Sequence, residues 1–82
     1  MCRPEDVIKI LQRRPFEPFR IYLSVGKTYD IRHPELLMAG ERFLAIGLPR
    51  AGVDGLVIDS LDTVALIHVV RLEPIHLSAA NP

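Results

Sequence analysis

A single cysteine in 82 residues excludes an intrachain disulfide. With no secretory leader pattern at its start, the lone thiol Cys2 points to a reducing, cytoplasmic setting. No apolar run approaches the ~20 residues that a membrane helix requires. The longest, Val64 to Val70, is interrupted by His68. No sign of charge dominates: ten Lys and Arg balance ten Asp and Glu, and the two halves of the chain differ little. A strong nucleic-acid binder ordinarily carries a basic excess, so this balance weighs against one. Gly26, Gly40, Gly52 and Gly55 do not form a phosphate-cradling spacing. Internal repeats and low-complexity tracts are also missing, and 82 residues suit one domain. What is plentiful is apolar side chain, 49% of the chain. So small a globule has too little interior to hide it, which predicts a homo-oligomer that buries the remainder.

The pattern predicts a helix over Pro4 to Arg14. Pro4 suits the first turn, Glu5 and Asp6 suit its positive end, and Arg13 and Arg14 suit its negative end. Val7, Ile8, Ile10 and Leu11 make an apolar stripe. Pro15 then bars continuation and moves Arg14 away from helical angles. Phe19, Ile21 and Leu23 alternate with Arg20, Tyr22 and Ser24, which is strand period. Val25-Gly26 turns the chain, and Thr28 to Arg32 alternates again, predicting a hairpin. His33-Pro34-Glu35 ends that strand, and Leu36 to Ala39 fits either a strand or a helical turn. Phe43 to Leu48 predicts a third strand and Leu56 to Ile58 the start of a fourth, with a loop over Pro49 to Gly55 between them. Asp59-Ser60 reads as a tight bend, and Thr63 to Val70 as a fifth strand. The expected fold is mainly β with an N-terminal helix: a small, bent, five-stranded antiparallel barrel. The domain is expected over residues 1–76, with a flexible tail over 77–82.

The segment RRPFEPFRIYLSVGKTYDIRHPE, Arg13 to Glu35, resembles a family of small uncharacterised bacterial proteins. Their pattern is a short helix, then R-P-F-x-P-F-x-I-x-L-x-x-G, then a strand ending in H-P-E. That resemblance implies a domain and no activity. In architecture, the helix leading into FRIYLSVGKTYDI is similar to Sm-like proteins, including bacterial Hfq, and to SH3-like barrels more generally. Val57 to Ser60 followed by Val64 to Val70 is similar to their last strand, bend and strand. The resemblance implies a ring assembled by strand pairing between subunits, and RNA as a partner. The base-contacting residues of that family have no counterpart here, because Asp59-Ser60 is a different pair and His68 lies within a strand.

Three functional readings follow. The first is a non-catalytic interaction and assembly module, associating through an apolar edge at Val64, Leu66, His68 and Val70, with itself or with another protein. The second is binding of single-stranded RNA by Arg13, Arg14, Arg20, Tyr22 and Lys27, whose charges would meet phosphates while the tyrosine stacks on a base. Glu17, Asp30 and Glu35 sit among those cations, so a solvated and internally paired face is the simpler alternative. The third places metal or proton chemistry at His33 and Glu35, two apart across Pro34. A proline-stopped strand end explains the same residues. Asp59, Ser60 and Asp62 fit turn chemistry, and Cys2 lacks a neighbouring base. His76 falls in the tail. No catalytic, metal or cofactor set emerges, so neither enzymatic activity nor a cofactor is expected, and no membrane partner is.

Overall fold

The computed structural model describes residues 2–50 and 57–75. One helix, α1 (Pro4–Leu11), precedes six strands: β1 (Phe19–Leu23), β2 (Thr28–Ile31), β3 (Leu37–Ala39), β4 (Phe43–Pro49), β5 (Ile58–Ala65) and β6 (Val69–Pro74). They form two three-stranded antiparallel sheets, ordered β2-β1-β6 and β3-β4-β5. The mainly β fold with an N-terminal helix is as expected, but the small, bent, five-stranded barrel is corrected to six strands in two sheets that do not close into a barrel. Two short 3₁₀ segments make the corners between them, Pro34–Leu36 joining β2 to β3 and Leu66–His68 joining β5 to β6.

The helix is shorter than the pattern predicts. Its start follows the sequence: Pro4 opens it, and the Arg3 amide donates to Oδ2 of Asp6 at 3.1 Å. Its end comes at Leu11 because the chain must leave helical angles before Pro15. The Arg13 amide already reaches back three residues, to the Ile10 carbonyl. Nη1 of Arg14 donates to the Leu11 and Arg13 carbonyls, at 3.0 and 2.9 Å, and so covers at Leu11 an acceptor the helix leaves open. The Arg14–Pro15 peptide bond is cis.

The β1–β2 hairpin forms as the alternation predicts, with Phe19 opposite Ile31 and Tyr22 opposite Thr28. The loop Ser24–Gly26 has three residues, with Gly26 last at φ 94°. That conformation is open to glycine at little cost, and it lets Lys27 pair back to Leu23. Leu36 to Ala39 divides between both options: Leu36 ends a 3₁₀ turn, and Leu37–Ala39 is strand.

Two strand expectations are corrected. Asp59-Ser60 is no bend; both residues lie inside β5, with the pairing to β4 slipping by one residue beside Asp59. The predicted strand from Thr63 to Val70 breaks at Leu66–His68. Its apolar run divides instead between inside and outside. Leu66 and Val69 enter the core, while Ile67 and Val70 face out. The core lies between the sheets and under α1, built from Val7, Ile21, Ile31, Leu44 and Ile46 with Phe19, Leu37, Leu66 and Val69 around them. Phe16 packs edge-on against Phe19, with ring centres 6.1 Å apart, and holds the end of the helix segment to the sheet. The expected fourth-strand start at Leu56, most of the loop before it, His76 and the tail lie outside the described residues.

Candidate interaction surfaces

The outer face of the first sheet collects the polar residues that alternate with the core positions of β1. Arg20 stands between Asp30 of β2 and Glu73 of β6. It forks onto Asp30, Nε to Oδ1 at 2.6 Å and Nη2 to Oδ2 at 3.2 Å. The Arg20 guanidinium holds the Asp30 carboxyl below its ordinary range, and Asp30 in turn raises Arg20. Tyr22 stands opposite Arg71, whose guanidinium lies 4.2 Å from the ring centre. Arg71 also pairs with Glu73 at 3.2 Å, and Arg32 with Asp30 at 3.4 Å.

The structure therefore brings Arg20 and Tyr22 together and separates the rest of the predicted cationic set. Arg13 pairs with Glu17 at 3.1 Å beside a small cleft between α1 and β6. Arg14 is turned to backbone carbonyls. Lys27 lies beyond the hairpin loop, with its ammonium 5.0 Å from the Tyr29 ring centre and 3.7 Å from Oδ2 of Asp62. Tyr29 first and Asp62 second raise its pKa. The hydroxyl of buried Tyr29 donates to the same Asp62 oxygen at 2.6 Å. Asp62 is thus a link between sheets rather than the turn residue its neighbours suggest. Nothing local in the sequence pairs it with a tyrosine 33 positions away.

His33 and Glu35 are both exposed at the first corner, where the His33 carbonyl accepts the Leu36 amide. Among the described residues, no three His, Cys, Asp or Glu side chains gather as a metal ion requires. Cys2 packs half-buried against the core margin; burial, then Asp6, pushes its thiol above the ordinary value.

The outer face of the second sheet is apolar. Met38, Phe43, Ile58 and Leu61 are 64%, 45%, 44% and 61% exposed, with Ala45, Thr63 and Ala65 among them. Gly47 leaves room for Ile58 to lie across the sheet, and Gly40 for the ring of Phe43. No paired position on this face carries a charge; Asp59 at its margin is taken up by Arg50 at 3.6 Å. Sequence reasoning missed this surface, although alternation of Leu61, Thr63 and Ala65 against Ser60, Asp62 and Val64 carries it. The predicted edge residues do not lie on one strand edge, because the corner at Leu66–His68 divides them. Val64 is half-buried against the core and Leu66 is within it, whereas His68 and Val70 are exposed beyond the corner.

No protein-family model, curated protein or solved structure matches this chain. Among the described residues, no helix is long and apolar enough to cross a membrane.

Proposed function

We propose that the protein is a non-catalytic interaction module that assembles into a homo-oligomer. The observation that carries this reading is the uncharged outer face of β3-β4-β5, with Met38, Phe43, Ile58 and Leu61 in the open. Such a face is costly in water and loses nothing electrostatic when covered. A bent two-sheet architecture of Sm-like type belongs to the same proposal. It is supported by the return of β6 beside β1 and by the corners that bend one sheet into the other.

RNA binding has weaker support. Arg13, Arg20 and Lys27 each engage an acid, Arg14 engages backbone, and Arg71 covers Tyr22. Phosphate binding would have to break these pairs.

Light scattering across a concentration series tests the proposal, with a multiple of the 9.2 kDa chain expected. A monomer at several hundred micromolar overturns it. Tight, salt-dependent binding of single-stranded RNA would favour the competing reading instead.

A further inference from the structure

The four strand edges of the described residues are unequal. β2 offers four residues and carries Asp30, and β3 offers three. β6 carries Arg71 and Glu73, ends in Pro74, and is bulged at Val70 where its pairing with β1 slips. Short length, charge, proline and bulges are the devices by which sheets discourage pairing with another chain. β5 is different. Past the slip at Asp59, residues 60–65 run in regular register with β4 and contain no proline, and their one charge, Asp62, is engaged by Tyr29 and Lys27.

The direction of its backbone groups follows from the pairing. The Leu66 amide donates to the Arg42 carbonyl, which sets the phase along β5. Leu44 opposite Val64 and Ile46 opposite Asp62 are then the hydrogen-bonded pairs. The N–H and C=O groups of Leu61, Thr63 and Ala65 point the other way, to the open edge. The side chains of these three residues belong to the uncharged outer face. Beside the edge lies a groove lined by Leu23, Val25, Thr63, Val64, Ala65 and His68.

We propose that β5 pairs antiparallel with β5 of a second copy, across a twofold axis at Thr63. The inference rests on the assembly reading above and adds to it an edge contact, which joins the apolar outer faces of two copies without covering them. An edge left open while the other three are blunted is complementary to its own copy, and a twofold axis closes the pair. A register centred on Asp62 sets two carboxylates opposite each other. Centring on Thr63 avoids this and uses the regular stretch: Thr63 meets Thr63 of the copy, and Leu61 meets Ala65 of the copy. The two sheets become one six-stranded sheet, and the two apolar outer faces become a single surface.

Two variants in full-length protein test the contact. Thr63→Pro removes an edge N–H that β4 does not use, so the fold persists by circular dichroism. It is expected to weaken dimerisation by about 100-fold in light scattering. Thr63→Cys, with Cys2→Ser, places two thiols on a hydrogen-bonded pair with Cα atoms about 5.5 Å apart. Mild oxidation then yields a covalent dimer, whereas Met38→Cys in the same background does not. An oligomer whose mass Thr63→Pro leaves unchanged, or one that cross-links through Met38→Cys and not Thr63→Cys, overturns the β5 contact and leaves assembly standing. A wild-type chain that stays monomeric overturns both.

Discussion

Tyr29 and Asp62 meet across the two sheets: the phenol hydroxyl of β2 donates to a carboxylate oxygen of β5 at 2.6 Å. The phenol ring is buried, while the carboxylate is only about one-third exposed and has Lys27 as a second partner. Sheets that share no ladder at this point thus meet through one carboxylate.

Tyr29→Phe keeps the ring and removes the tie. It is expected to cost about 1–2 kcal/mol in urea denaturation, since a charge-assisted hydrogen bond is lost and Asp62 keeps one partner. In a double-mutant cycle with Asp62→Asn, the two losses should be less than additive. Full additivity would show that the contact contributes nothing.

The Arg20–Asp30 fork gives an acid dependence of definite sign. Asp30 has a lower pKa folded than unfolded, its hydrogen bond with Arg20 being the main cause. Its contribution to stability is therefore complete above the unfolded aspartate value of about 3.9 and is lost as pH falls toward the lower folded value. Carboxyl-carbon NMR titration should show Asp30 titrating below an aspartate in an open peptide. Arg20→Gln should return Asp30 upward.

Cys2 should react slowly. Burial and the nearby Asp6 raise its thiol pKa, so less thiolate is present at pH 8 than in an open peptide. Disulfide-exchange rates measured against pH should place the midpoint above that of a free cysteine peptide. Asp6→Asn should move it down, and an unmoved midpoint would leave burial as the whole cause.

Phe19 and Phe16 should differ in cost. Phe19 is 3% exposed in the core, so Phe19→Ala is expected to lose about 3–5 kcal/mol. Phe16 is half-buried and contributes an edge-on contact, so Phe16→Ala should lose about 1–2 kcal/mol. Denaturation midpoints at equal slope would measure both.

The hairpin was legible in the sequence because Phe19 to Ile31 alternates cleanly and glycine stands where a positive φ is needed. The corner at Leu66–His68 was hidden, since a run apolar on every side looks alike whether it is one strand or a turn feeding a second. On the candidate surfaces, alternation alone placed Arg20 beside Tyr22. It could not place Lys27, because the loop residues Ser24–Gly26 carry it to the opposite side. The partner of Asp62 and the blunting of the other edges exist only once distant segments meet. Pairing of β1 with β6 is of that kind too, and the 3₁₀ corners at Pro34–Leu36 and Leu66–His68 divide the strands into two sheets.

That pairing has a consequence for how the chain is made. The second sheet grows from near neighbours, Leu37 to Ala65, whose strands meet through successive antiparallel returns. The first cannot finish until Val69–Pro74 has left the ribosome, some fifty residues after Phe19. Until then the nascent hairpin keeps one flank of Phe19, Ile21 and Leu23 open.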